Sequence, residues 1–157
     1  MNILGLEAPA NAIRLFNGSD LNNWTTRDGQ PVGWTVEDEV MHVVPGTGDI
    51  MSRERFTDFY LLLEFRCPDM PEASGQQKGN SGVFLQGRYE IQVLDSYGIN
   101  IPGMGDCGAI YNQFAPLCNA CKPPLEWQTY DAFFRAPRGE SKSRLTVLQN
   151  GQIIHNN

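Results

Sequence analysis

The sequence predicts an all-β sandwich, and three features of its 157 residues agree on this class. Short runs of alternating apolar and polar residues recur along the chain, whereas the helical spacing of apolar residues is nearly absent. Sixteen glycines and ten prolines are enough to separate many short strands by turns. Hydrophobic residues make up 41% and charged residues 19%, which is typical of a folded globular domain. A chain of this length can form one domain around one core.

The first half of the chain predicts one hairpin and one apolar strand. In GWTVEDEVMHVVPG, residues 33–46, two alternating runs flank a turn near Glu37 and Asp38. The segment DFYLLLEFRCP follows at residues 58–68 and predicts a strand. Its alternation places one apolar set on a single face, namely Phe59, Leu61, Leu63 and Phe65.

The second half predicts six further short strands. Two of them meet within GVFLQGRYEIQVLDS, residues 82–96. Single strands are expected in CGAIYN at 107–112 and in EWQTYDAFFRAP at 126–137. The last segment, SRLTVLQNGQIIHNN at 143–157, predicts a hairpin, because an Asn-Gly pair between alternating runs is the strongest short hairpin signal.

Two polar loops flank the central strands. Residues 68–80 form a Pro- and Gly-containing loop, and residues 97–126 hold three of the four cysteines around the short strand at 107–112. Long loops in a compact β domain are usually functional or mobile. Because the final hairpin ends with the chain, we expect residues 1–157 to be a single jelly-roll domain that lacks its C-terminal strands. Another chain or segment would then complete the sheet.

The charge and hydropathy of the chain exclude two classes of partner. The net charge is −6 and no stretch of Lys and Arg forms a basic patch, so nucleic acid is not an expected partner. No apolar run approaches the roughly 18 residues that a membrane-spanning helix needs. The N-terminus is too short and too interrupted for a signal peptide, so an exported protein would have lost its signal.

The four cysteines are compatible with more than one chemistry: Cys67, Cys107, Cys118 and Cys121. Cys118 and Cys121 are spaced as Cys-x-x-Cys, but no second pair follows at zinc spacing, so a four-thiolate zinc site is less favoured. In an oxidising compartment, a disulfide between Cys118 and Cys121, or between Cys107 and one of them, is favoured. Free thiols are the remaining alternative.

The strand RYEIQVLDSYG, residues 88–98, carries polar side chains in an apolar setting. Strict alternation puts Glu90 and Gln92 on one face and points Asp95 to the other. A β-bulge after Gln92 would re-aim the residues that follow, so that all three share a face. Three polar groups on one face, backed by hydrophobic residues, indicate the wall of a cleft.

Several long motifs occur in an order that resembles the 3-keto-disaccharide hydrolase domain family. They are RLFNGSDLNNW, GNSGVFLQGRYEIQVLDSYG, DCGAIYNQFAP, KPPLEWQTYDAFFRAPR and NGQIIHNN, and the likeness covers about residues 14–157. The resemblance implies a concanavalin A-like jelly roll of two antiparallel sheets, one of them concave. It also implies exported bacterial enzymes, lyases and hydratases, that act on glycosides whose sugar is oxidised at carbon 3.

A more distant likeness concerns the central strand. Family-16 glycoside hydrolases carry Glu-x-Asp-x-x-Glu on a bulged strand, and this chain has Glu90-x-Gln92-x-x-Asp95 at the same spacing. Gln92 cannot replace a charged carboxylate, and Asp95 is shorter than Glu, which counts against ordinary retaining hydrolysis. An ordinary glycoside hydrolase using Glu90 and Asp95 stays open, as does a non-catalytic carbohydrate-binding module.

Elimination from a 3-keto-glycoside needs a base, a group at the enolate oxygen and an acid near the leaving oxygen. We expect Glu90 to be the base and Asp95 to be the acid or to position a metal, with Gln92 holding a sugar hydroxyl. No cofactor is certain, and a divalent metal is possible. Further residues expected to bind the carbohydrate substrate are Asn80, Arg88, Tyr97, Tyr111, Lys122, Trp127 and His155.

Overall fold

A computed structural model describes residues 4–157, which form two compact units. The smaller unit is Glu7–Phe56, and the larger one comprises residues 4–6 and Thr57–Asn157. Within the described residues, the structure contains no helix with the length and apolarity needed to cross a membrane.

The smaller unit contains two short antiparallel strand pairs. β1 pairs with β4, and β2 pairs with β3. The β2–β3 turn is formed by Asp38 and Glu39, whose φ angles of 50° and 60° suit a two-residue hairpin turn. This confirms the predicted hairpin, with its turn one residue later than expected. The strands are β1 (Trp24–Thr25), β2 (Thr35–Glu37), β3 (Val40–His42) and β4 (Met51–Ser52).

The larger unit is built on a four-stranded antiparallel sheet and a two-stranded one. The first has the order β10-β9-β8-β5, and the second pairs β6 with β7. Asn150 and Gly151, with φ of 51° and 82°, form the predicted turn between β9 and β10. The strands are β5 (Phe59–Phe65), β6 (Ser81–Leu85), β7 (Tyr89–Val93), β8 (Gln128–Arg135), β9 (Arg144–Gln149) and β10 (Gln152–His155).

The free edge of β7 is covered by residues 108–111. Ile110 forms a bridge with Ile91, and the Tyr111 amide donates to the Glu90 carbonyl at 3.0 Å. The strand predicted at 107–112 is therefore reduced to one bridging residue, Ile110, which pairs with Ile91 and Phe114. The reason is local, because Gly108 and Asn112 have φ of 83° and 56° and interrupt the extended backbone on both sides.

The two sheets of the larger unit enclose one core, which confirms the predicted all-β sandwich. Alternate residues of each strand point inward, and burying each large apolar side chain contributes about 1.5–3 kcal/mol. The expectation that further strands complete the sheet stays a prediction. Fully buried members of the core include Leu85, Ile91, Tyr130, Val147 and Ile154.

The predicted bulge between Gln92 and Asp95 is absent. β6 and β7 pair in regular register up to Val93, where β7 ends. Beyond Val93 the chain leaves the ladder, because the Asp95 amide donates to the Lys78 carbonyl at 2.9 Å. The paired strands of the described residues show a register shift on β10 instead, between Ile153 and His155.

Candidate functional site

The amide of Gln92 is the centre of a polar cluster on β7. The residue is only 1% exposed, and Nε2 donates to Gln76 Oε1 at 2.9 Å and to Asn80 Oδ1 at 3.4 Å. The other amide atom, Gln92 Oε1, is buried without a hydrogen-bond partner among the described residues. A buried acceptor left unpaired costs about 1–3 kcal/mol, so this atom is poised to accept a hydrogen bond from a ligand or a water molecule.

The loop before β6 supplies the partners of Gln92. It contains a short 3-10 helix at Gly75–Gln77. Asn80 Nδ2 donates to the Gln76 carbonyl at 2.9 Å, and Gln76 Nε2 donates to the Gly105 carbonyl at 2.7 Å. The amides therefore lie in a row that joins loop 68–80 to loop 97–126, the two polar loops that the sequence predicts to be functional or mobile.

Glu90 lies beside Gln92 on the same face of β7. Its carboxylate covers Gly82, the register partner of Gln92 on β6. A Cβ atom placed at Gly82 would lie 2.1 Å from Glu90 Oε1, so only glycine leaves room for this side chain. Glu90 as a whole residue is half-buried, and its side chain packs against the Gly82 backbone.

Tyr111 lies beside Glu90. Its amide donates to the Glu90 carbonyl at 3.0 Å, and its neighbour Ile110 forms a bridge with Ile91. The ring passes 3.8 Å from the Cβ position of Gly105, which also contacts Gln76. We call this set, comprising Gln76, Asn80, Glu90, Gln92 and Tyr111, the Gln92 site.

Residues of the core fix the backbone carbonyl of Gln92 by hydrogen bonds. Tyr130 donates its hydroxyl proton to the Gln92 carbonyl at 2.6 Å, and the Gly108 amide donates to the same oxygen at 2.9 Å. His155 Nε2 donates to the Gly108 carbonyl at 2.7 Å. Burial lowers the pKa of His155, although this hydrogen bond acts in the opposite direction. His155 thus supports the site through the backbone of Gly108, whose amide binds the Gln92 carbonyl.

Asp95 forms a buried ion pair with Lys78. Its carboxylate is 2% exposed and lies 2.7 Å from the ammonium group of Lys78, and it also accepts the Tyr97 amide at 3.2 Å. The hydrogen bond to Asp95 raises the pKa of Lys78. Because Lys78 lies between Gln76 and Asn80 in the loop, the ion pair anchors the row of amides. A buried, ion-paired carboxylate is poorly suited to donate a proton to a leaving group.

Other predicted residues lie apart from the Gln92 site. Arg88 is exposed in the turn between β6 and β7, and Tyr97 is exposed after the end of β7. The ammonium group of Lys122 donates to the Trp127 carbonyl at 2.9 Å. The guanidinium of Arg66 covers the Trp127 ring at 5.0 Å. Lys122 and Trp127 are therefore engaged with their own loop and with Arg66.

Sequence reasoning missed three residues of the site and its support. Gln76 and Lys78 lie in a loop without periodicity, and the one available signal was the polar character of that loop beside the central strand. Gly82 had a clearer signal, since a glycine inside a strand often marks a close approach.

All four cysteines are free thiols, so the predicted disulfide is absent. Cys118 and Cys121 point to different partners, because Cys118 Sγ donates to Gln152 Oε1 at 3.6 Å and Cys121 Sγ donates to the Leu94 carbonyl at 3.7 Å. A hydrogen bond from Cys121 lowers the pKa of Cys107, whereas burial raises the pKa of Cys67 to about 12. The described residues contain no group of three or more His, Cys, Asp or Glu side chains that could hold a metal ion, and this counts against the four-thiolate zinc site.

The fold and the site define a class of β-sandwich protein with a polar cluster on one face of β7. Residues 11–157 match the sequence profile of the 3-keto-alpha-glucoside-1,2-lyase-like domain, and the chain belongs to this family. This confirms the resemblance seen in the motifs. Among curated proteins, none matches the chain.

Solved structures from Parabacteroides distasonis agree with this assignment. One crystal structure, of a protein provisionally assigned as a glycosyl hydrolase, is 40% identical with a TM-score of 0.89 and matches 95% of this chain. Two further proteins from this organism have the same provisional assignment. One is 20% identical with a TM-score of 0.59, and the match covers 90% of this chain and 69% of that protein's chain. The other is 22% identical with a TM-score of 0.60 and covers 87% of this chain and 67% of that protein's chain, and at this identity both support the fold alone. The chain spans 66% of the length of the first structure.

Proposed function

We propose that this chain is a carbohydrate-active domain that cleaves 3-keto-glycosides by elimination followed by hydration. One observation carries the proposal: half-buried Glu90 and the unpartnered Oε1 of buried Gln92 lie on the same face of β7. The first is a candidate base, and the second is a fixed acceptor for a sugar hydroxyl. Membership of the lyase-like family supports this substrate class.

The proposed chemistry begins with the ketone. A carbonyl at carbon 3 acidifies the hydrogen on carbon 2, and the Glu90 carboxylate removes that proton. The electron pair forms an enolate, which then expels the glycosidic oxygen from carbon 1. Water adds across the resulting double bond, so the net result is hydrolysis. A positioned base of this kind contributes about 10²- to 10⁴-fold.

Substrate binding is assigned to the amide side chains of Gln76 and Asn80, and proton donation is assigned to Tyr111. Gln76 and Asn80 are exposed at the rim of the site and can bind sugar hydroxyl groups. The Tyr111 amide is hydrogen-bonded to the Glu90 carbonyl, and its side chain supplies a phenolic hydroxyl, which we assign as the proton donor to the leaving oxygen. This assignment replaces Asp95, whose carboxylate is paired with Lys78.

The alternatives differ in what they require of these residues. An ordinary retaining hydrolase needs a nucleophile and an acid about 5–5.5 Å apart, and the ion pair of Asp95 argues against its use in such a pair. A non-catalytic binding module would use the amide row without needing Glu90. We also propose that the protein is exported, as the resemblance implies.

One assay separates the three functions. The protein is incubated with 4-nitrophenyl 3-keto-glucoside and, in parallel, with the unoxidised 4-nitrophenyl glucoside. Release of nitrophenol from the keto substrate alone is expected. Release from the unoxidised glucoside would indicate an ordinary hydrolase. Binding without release from either substrate would indicate a binding module and overturn the proposal.

A further inference from the structure

The four-stranded sheet carries an aromatic pair on the face that points away from the core. Tyr60 of β5 and Phe133 of β8 are register partners, and their rings stack with centroids 4.4 Å apart and an angle of 13° between the planes. Tyr60 is 54% exposed and Phe133 is 49% exposed. Two large rings held side by side at the surface form a flat apolar platform.

The platform is fixed in place. Tyr60 donates its hydroxyl proton to the carboxylate of Asp131, which is 5% exposed and lies on the same face of β8. Burial and this hydrogen bond raise the pKa of Tyr60 to about 12, so the hydroxyl stays protonated. The orientation of the Tyr60 ring is therefore fixed in the absence of a ligand.

Two arginines lie next to the platform and directly opposite each other. Arg135 of β8 and Arg144 of β9 are register partners, and both are exposed. Like charges directly opposite on neighbouring strands are destabilising. In the part of the chain that the structure describes, the ion pairs join Lys78 to Asp95 and Arg138 to Asp58, so neither of these arginines is neutralised.

The acidic residue that lines the groove already has partners. Asp58 lines the same groove of about 410 Å³, but its carboxylate binds Arg138 and accepts the Ala136 amide at 2.9 Å. The groove thus combines a flat apolar wall with two uncompensated guanidinium groups. A protein of net charge −6 gains nothing in solubility from this local excess of positive charge.

We propose that this aromatic–arginine patch, comprising Tyr60, Phe133, Arg135 and Arg144, binds an acidic oligosaccharide through its uronate residues. The pyranose ring stacks on the aromatic platform, since sugar rings present flat C–H faces. Each guanidinium matches the planar carboxylate of a uronate in a bidentate geometry. The patch lies on the outer face of the four-stranded sheet, whereas the Gln92 site lies on the β6–β7 sheet, and this proposal does not depend on the catalytic one.

A nucleic acid is the competing ligand for aromatic and arginine side chains. The overall charge of −6 opposes a long polyanion, since repulsion by the rest of the surface grows with the number of phosphates. A short uronate oligosaccharide carries fewer charges and needs only the two guanidinium groups. The observations therefore favour the oligosaccharide.

The test is isothermal titration calorimetry of the 157-residue protein with tetragalacturonate, with neutral maltotetraose as the control ligand. Binding of tetragalacturonate that weakens with added salt is expected, with no heat from maltotetraose. Arg135→Gln combined with Arg144→Gln should weaken binding at least tenfold, and Phe133→Ala at least fivefold. The matched control, Arg55→Gln with Lys142→Gln, removes the same charge from exposed positions outside the patch and should bind as the wild type does.

Three results would overturn the inference. They are equal binding of maltotetraose, unchanged affinity in the double arginine variant, and tighter binding of an oligothymidylate than of tetragalacturonate. If Phe133→Ala does not fold, the two exposed arginine substitutions still decide the question. Turnover on a 3-keto-glucoside, which belongs to the Gln92 site, should be unchanged in the double arginine variant, so failure of one proposal is distinguishable from failure of the other.

Discussion

The carboxylate of Glu90 lies directly over Gly82, and a Cβ atom at Gly82 would approach Glu90 Oε1 to 2.1 Å. The glycine therefore determines where the proposed base can sit. Because Gly82 is also the register partner of Gln92, it leaves space for both polar groups of the site.

Gly82→Ala should displace the Glu90 carboxylate and lower kcat on a 3-keto-glucoside by about 10- to 100-fold, since a misplacement of about 1 Å can cost that much. Gly103→Ala is the matched control, because its Cβ would meet only the Asp106 carboxylate at an ordinary 3.5 Å. Steady-state kinetics on both variants check this prediction. Full activity in Gly82→Ala would show that the position of Glu90 is unimportant.

Glu90→Gln keeps the shape of the side chain but removes the base. A loss of about 10²- to 10⁴-fold in turnover on the keto substrate is expected, with little change in the thermal unfolding midpoint. Equal activity of the variant and the wild type would place the base elsewhere.

The ion pair between Asp95 and Lys78 predicts a different kinetic signature. Asp95→Asn and Lys78→Met should both loosen the loop that carries Gln76 and Asn80, so KM should rise by about tenfold with a smaller change in kcat. Lys78→Arg, which retains the charge, should restore most of the affinity. A variant of Asp95 that lowers kcat at unchanged KM would instead support the catalytic acid expected from the spacing of Glu90, Gln92 and Asp95.

Local periodicity explains which parts of the site were predictable. The period of two along a strand places Glu90 and Gln92 on one face whatever the rest of the fold does, and the structure agrees with this. The bulge was wrong because the Glu-x-Gln-x-x-Asp spacing does not distinguish an added residue from the end of a strand. Asp95 is redirected by a hydrogen bond from its amide to Lys78, and no pattern within residues 88–98 contains that information.

Contacts between parts of the chain that are distant in sequence could not be predicted from local patterns. Gln76 meets Gln92 across 16 residues of sequence, through a loop whose backbone follows no period. The thiols are a similar case, because Cys118 and Cys121 are close in sequence yet point to Gln152 and Leu94. Their spacing favoured a disulfide, whereas the direction of each side chain is set by tertiary packing.

His155 predicts how stability depends on pH. Burial lowers its pKa below the ordinary value of 6.5, so the unfolded chain binds a proton at a higher pH than the folded protein does. The free energy of unfolding is therefore highest above the unfolded pKa. It decreases as the pH falls through 6.5 towards the folded pKa, by at most about 1.4 kcal/mol per pH unit for one proton.

Urea unfolding of the wild type and of His155→Asn at about pH 7.5 and about pH 5 measures this contribution. The variant loses the hydrogen bond to Gly108 at both pH values. The informative quantity is therefore the decrease in the free energy of unfolding from about pH 7.5 to about pH 5. This decrease should be smaller in His155→Asn than in the wild type. Equal decreases in the wild type and in His155→Asn would show that His155 does not titrate differently in the folded and unfolded states.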